Sequence, residues 1–108
     1  MLKFCFYVPA SHLETVKDAV FQAGAGRIGN YEYCCWQVEG QGQFKPLLGA
    51  KPAIGHIDTL EKVSEYRVEM VCDESCIHAV MSAFRLAHPY EEPAYDVMAT
   101  LEFLEPKS

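Results

Sequence analysis

The sequence predicts an α+β protein: a ferredoxin-like βαββαβ sandwich with an extra β-hairpin, in one domain over residues 1–108. Two observations carry this. Strand-like runs and amphipathic helical segments alternate in the order strand, helix, strand, strand, helix, strand, joined mostly by short connections. Half of the residues are hydrophobic and none of the apolar runs reaches the length of a membrane span, so a chain of this size can bury a core of its own.

Leu2–Val8 is apolar, aromatic and β-branched and stops at Pro9, which reads as the first strand. Ser11 and Glu14 form a capping-box pattern before Leu13, Val16, Val20 and Ala23, which recur at helical spacing up to Gly24. Tyr31–Glu39 reads as the second strand. Gly40–Gly42 reads as a turn, with Gln43–Leu48 returning as a short hairpin arm held to an edge by Pro46. Gly49–Gly55 is loop-like, with Lys51 at its centre, and could carry a ligand site.

Glu61–Cys72 alternates apolar and charged residues as a long strand. Asp73 or Ser75 can cap a second helix, whose inner face is Ile77, Val80, Met81, Phe84 and His88 and which runs to about Ala87. His88–Pro93 is a proline-braced turn, and Tyr95–Phe103 is the last strand. With both helices on one face of the sheet, Tyr7, Tyr33, Trp36, Tyr66 and Phe103 would load the other face with aromatic area. That favours a homo-oligomer, trimer or dimer.

A formal charge of −6 leaves no basic surplus to displace counterions, which argues against nucleic acid or an anionic membrane as partner. Met1–Cys5 has no signal-peptide character, so the cytoplasm is the expected compartment. The odd count of five cysteines then reads as reduced thiols. Cys34 and Cys35, neighbours in a strand, would point to opposite faces and could not share one ion.

Four local patterns invite a chemical reading. Gly24-x-Gly26-x-x-Gly29 matches the dinucleotide fingerprint in letters, but a helix enters it and a strand leaves it, the reverse of what a pyrophosphate site needs. The glycines read instead as a helix C-cap and tight turn, with free amides and Arg27 as a candidate anion nest. His88-Pro-Tyr-Glu-Glu-Pro-Ala-Tyr-Asp96 gathers imidazole, carboxylates and phenols. His88, Glu91 and Glu92 are therefore candidate ligands for a divalent metal ion, and the plainer reading is a helix stop with solvated acids. Cys72, Cys76 and His78 resemble a zinc cluster but supply only one cysteine pair, at a strand-to-helix corner. The serines have no histidine and carboxylate at telling positions, so nothing local argues for catalysis.

Phe6-x-Val8-Pro9-x-x-His12, Ala23–Tyr31, Gly40-x-Gly-x-Phe44-x-Pro46, Gly49–Gly55 and His88–Asp96, taken together, resemble the inserted domain of the YqfO-like members of the Ngg-one-interacting-factor-three family. The resemblance runs from about Leu2 to Leu101. It implies a CutA- or PII-like fold, a tendency to associate, and a ligand-binding edge near His12 and His88–Asp96. In that family the dinuclear metal ligands lie in the larger domain flanking the insert. The chain therefore reads as a stand-alone insert, without catalytic residues to carry over.

The resulting expectation is a non-enzymatic regulatory or sensor-type module that binds a metal ion, a small molecule or a partner protein. His12, Gly24, Gly26, Arg27, Gly29, Tyr90, Tyr95 and Asp96 are its ligand-binding candidates. An accessory subunit of a split dinuclear-metal hydrolase and a plain oligomerisation domain are the alternatives.

Overall fold

The computed structural model describes residues 1–107. Its elements are β1 (Leu2–Pro9), α1 (Leu13–Gln22), β2 (Trp36–Phe44), β3 (Glu61–Cys72), α2 (Ile77–Ala87) and β4 (Tyr95–Ala99). Short 3-10 turns, Ala10–His12 and Glu74–Cys76, lead into the two helices. The strands form one antiparallel sheet in the order β2-β3-β1-β4, so each helix crosses over a strand that belongs to the other half. This is the ferredoxin-like arrangement that the element order predicts.

Strand alternation decides which side chains meet the helices. Phe4, Phe6 and Val8 of β1 share a face with Met70, Val68 and Tyr66 of β3, to which they are paired in register. Leu13, Val16 and Val20 of α1 and Val80 and Phe84 of α2 close over them. The Phe84 ring stands edge-on to Phe4 at 5.2 Å and lies 5.3 Å from Phe6, so three aromatic rings form the centre of the core. Removing each of these rings from water contributes roughly 1.5–3 kcal/mol.

Several elements depart from the sequence reading. The Ser11/Glu14 capping box does not form: the chain turns 3-10 after Pro9, α1 starts only at Leu13, and the Ser11 hydroxyl meets His12 Nδ1 at 2.8 Å instead. Ahead of the second helix Asp73 caps the 3-10 turn, accepting from the Ser75 amide at 2.8 Å, and α2 itself starts at Ile77 without a side-chain cap. β4 stops at Ala99, which leaves Phe103 beyond the sheet and 84% exposed.

The turn predicted at Gly40–Gly42 is absent, and with it the separate hairpin arm. β2 runs straight through both glycines to Phe44, paired along its length with Glu61–Glu69. Gly42 serves a neighbour rather than a bend, because the Glu65 side chain occupies the space a Cβ would take. β1 pairs only with Glu65–Cys72 of β3, so Gln41–Phe44 and Glu61–Ser64 project past it as a two-stranded ribbon. The molecule is accordingly long, 58 × 24 × 22 Å.

The chain before β2 is also not a strand. Ile28 and Tyr31 form an isolated bridge, and Tyr33 takes a left-handed φ of 60°, so Cys34 and Cys35 sit in irregular backbone and not on opposite faces of a ladder.

The sheet's open face is less aromatic than expected. Tyr66 packs on the core side, Tyr33 lies 5.0 Å from the Phe21 ring, and Phe103 is outside the sheet. Tyr7 and Trp36 remain on that face by register. They are joined there by Lys3, Arg67 and Glu69, ion-paired at 3.1 and 2.6 Å. None of the helices is long and apolar enough to cross a membrane.

Candidate functional site

The helices run in opposite directions past the sheet, so the start of α1, the end of α2 and the root of the β2–β3 ribbon meet at one end of the molecule. A cavity of about 450 Å³ opens there, a size suited to a small organic ligand. Tyr7 of β1, Phe44 of β2 and Glu65 of β3 contribute from the sheet, and Tyr90, Glu91 and Glu92 from the turn after α2. The remaining wall is the β2–β3 loop, where Pro46, Leu47, Ala50, Pro52 and Ile54 present an apolar surface and Lys45 a single ammonium.

The loop is fastened at both sides. Its own ends close through the Asp58 amide, which donates to the Pro46 carbonyl at 2.7 Å. Midway, the Lys51 amide donates to Glu91 Oε1 at 3.1 Å, while Arg85 donates to the Glu91 carbonyl at 3.0 Å. Thus one glutamate joins the loop, the turn and α2.

His88 lies beneath this wall at 5% exposure. The Tyr90 amide donates to its Nδ1 at 3.1 Å, so that nitrogen carries no proton. Nε2–H accordingly donates to the Tyr7 carbonyl at 2.7 Å. Burial lowers the His88 pKa below the usual imidazole value. The bond to the Tyr7 carbonyl and the nearby Glu65 charge oppose that shift, and the His12 charge adds to it. The ring is therefore a neutral strut, with both nitrogens engaged. Next to it, 5.0 Å between centroids, the Tyr90 ring carries its hydroxyl to Glu65 Oε2 at 2.8 Å. Burial first, and the Glu65 carboxylate second, hold the Tyr90 phenol well above its ordinary pKa, so it remains a hydrogen-bond donor.

The structure sorts the sequence-predicted site residues into three places. Tyr90, Glu91 and Glu92 line the cavity, with His88 behind them and His12 close enough for its charge to bear on His88. Tyr95 turns to the core side and packs 5.8 Å from Phe84, while Asp96 pairs with Cys5 on β1, away from the cavity lining.

Gly24, Gly26, Arg27 and Gly29 sit at the opposite end of the sheet. All three glycines have positive φ, as a C-cap and tight turn require. The amides of Gly24, Ala25 and Gly26 already donate to the carbonyls of Phe21, Val20 and Val71, so these three are not free to form the expected anion nest. Of the metal-ligand candidates, His88 has both nitrogens engaged and Glu91 Oε1 accepts from the Lys51 amide; no three His, Cys, Asp or Glu groups among the described residues are arranged to hold a metal ion.

Tyr7, Phe44 and Glu65 were not among the sequence candidates. Phe44 and the loop had signals, in the Gly40–Pro46 and Gly49–Gly55 motifs. Glu65 had none, because only the strand register brings it to Tyr90.

No protein-family model matches the chain. A protein called GTP cyclohydrolase 1 type 2 homolog from Mycobacterium leprae is 52% identical over 97 residues, covering 90% of this chain and 25% of the relative. A solved Bacillus cereus protein related to NIF3 superposes with a TM-score of 0.76 at 42% identity, over 90% of this chain and 24% of that one. CutA1 from Pyrococcus horikoshii shares only 14% identity, with a TM-score of 0.68 over 97% of this chain and 88% of its own. The fold is thus CutA/PII-like. The chain spans about a quarter of the length of the curated relatives it matches, such as the one from Mycobacterium leprae.

Proposed function

We propose that this chain is a non-enzymatic binding module of regulatory type, whose ligand is a small molecule held between the β2–β3 loop and the His88–Pro93 turn. The cavity carries this reading. Three of the five motifs that mark the sequence converge on its walls, although they are separated by up to several tens of residues. Its lining is mostly apolar with a few placed polar groups, and no serine, threonine or cysteine is among them. A likeness to CutA supports the fold of such a module. Tyr7 and Trp36 on the open face support assembly into a homo-oligomer as part of the same reading.

The measurement is thermal stabilisation across a metabolite panel, read together with native mass so that stoichiometry is seen directly. A ligand at about a hundred times its Kd should add about 2.7 kcal/mol of stability. Ile54→Trp, which fills the apolar side of the cavity, should abolish the shift. A panel without any stabilising member, or a shift that survives Ile54→Trp, defeats the proposal.

A second reading has its own support, since the chain matches only 25% of the Mycobacterium leprae relative. On that reading the domain is an accessory part of a larger metal-dependent hydrolase, fused or separate. Hydrolytic activity that appears only when the chain is combined with the remaining part of such a protein would favour it.

A further inference from the structure

Resting on the binding-module reading, we propose that the cavity accepts an alkylammonium group, a cation wrapped in methyl or methylene groups, in an aromatic cage of Tyr7, Phe44 and Tyr90 beside the Glu65 carboxylate. The rings of Phe44 and Tyr90 lie 5.8 Å apart and are inclined at 57°, and both border the same cavity as Tyr7. Aromatic faces arranged around a hollow attract a cation through their quadrupoles, most strongly one with a thin hydration shell.

The charges around the hollow select the same sign. Glu65, Glu91 and Glu92 border it, and none of them takes part in an ion pair among the described residues. Glu65 is the telling one. It is half-buried, its Oε2 is held by the Tyr90 hydroxyl, and the histidine behind Tyr90 has both nitrogens engaged as a neutral ring. Against these three acids stands Lys45, with Arg85 bound to the Glu91 carbonyl.

Other ligand classes fit less well. An anion would face a surplus of carboxylates. A neutral apolar molecule would cover Glu65 without a counter-charge, which a half-buried carboxylate resists. A bare divalent ion would need a convergent donor set that the described residues do not provide. An alkylammonium meets all three features at once: apolar walls, aromatic faces and one uncompensated acid.

The test uses calorimetry on the full chain with tetramethylammonium and choline, and with 3,3-dimethyl-1-butanol, the uncharged carbon counterpart of choline. A trimethyllysine peptide forms a further arm. The quaternary ammonium probes should bind about tenfold or more tightly than the uncharged alcohol. Glu65→Gln, which keeps an acceptor for Tyr90, and Phe44→Leu, which keeps apolar bulk without a ring, should each weaken choline about tenfold. Glu14→Gln, on the exposed side of α1, should leave it unchanged.

Tighter binding of the peptide than of choline would identify a methylated protein side chain as the source, and the reverse order a free amine; either supports the cage. Equal affinity for choline and its uncharged counterpart overturns the cation inference while the binding-module reading stands. So does panel stabilisation by other molecules with no response to any ammonium. Failure of every probe and of the whole panel removes both.

Discussion

At one end of the sheet the chain turns through three glycines, and the amides of Gly24, Ala25 and Gly26 close onto backbone carbonyls. At the other it turns through a proline-braced segment whose phenol and carboxylates border a cavity. Both turns follow a helix and precede a strand, and both carry polar groups that their residue types would offer to a ligand. They differ in what is left over after folding. The glycine turn spends the amides of Gly24, Ala25 and Gly26 on its own backbone. The second turn uses His88 internally and leaves Glu65, Glu92 and three aromatic rings without a full set of partners. A turn is a site only to the extent that its groups remain unsatisfied by the fold itself.

The largest expected effect lies in the glycine turn. Gly26 has φ +77°, and a Cβ there would meet the Phe21 ring at 2.7 Å and the Cys34 carbonyl at 2.9 Å. Gly26→Ala should therefore cost about 3 kcal/mol or more, whereas Gly29→Ala, at φ +56° with open space around it, should cost about 1 kcal/mol. Urea unfolding measures both, and equal losses would mean that backbone strain alone governs the turn.

Next comes His88→Ala, which strands the buried Tyr7 carbonyl and Tyr90 amide and should cost about 2–4 kcal/mol near pH 7.5. Its pH dependence has a definite sign. Burial lowers the folded pKa, so between it and the ordinary imidazole value of 6.5 the unfolded chain binds more protons. The stability supplied by neutral His88 is complete above about pH 6.5 and declines as the pH falls below that value. The difference between wild type and His88→Ala should thus shrink at pH 5.5. A constant difference from pH 7.5 to 5.5 would show that His88 is not held neutral.

The smallest effect is at the clasp. Glu91→Ala should change global stability by less than about 0.5 kcal/mol, yet accelerate hydrogen exchange at the Lys51 amide that it releases. Unchanged exchange there would mean that the loop is positioned by its apolar contacts alone.

The central strands were legible because one face of each is buried where they cross the core. The alternation of Glu61–Cys72 predicts β3 to the residue, and Phe4, Phe6 and Val8 alternate as clearly. Asp73 was legible as a cap because capping is a matter of two residues. Gly40 and Gly42 misled for a physical reason. A glycine announces that a side chain is missing, but local sequence cannot say whether the chain bends there or a neighbouring carboxylate needs the room. The candidate site was half legible on the same principle. Tyr90, Glu91 and Glu92 are contiguous and chemically conspicuous. Tyr7, Phe44 and Glu65 come from three strands, and it takes their register to assemble them. His88 carried the chemistry of a ligand, and its burial turned it into a strut.

The two walls of the cavity differ in kind. One is anchored through His88 to the carbonyl of a central strand, so its geometry is inherited from the core; the other is a loop that joins two strands outside that core. In the terms of a machinist's vice, one jaw is cast into the bench and the other is bolted to it. On the proposed reading, preference for charge would belong to the fixed jaw, through Glu65 and Tyr90, and preference for size to the bolted one, between Lys45 and Leu60. Engineering could lengthen or shorten the second without disturbing the first.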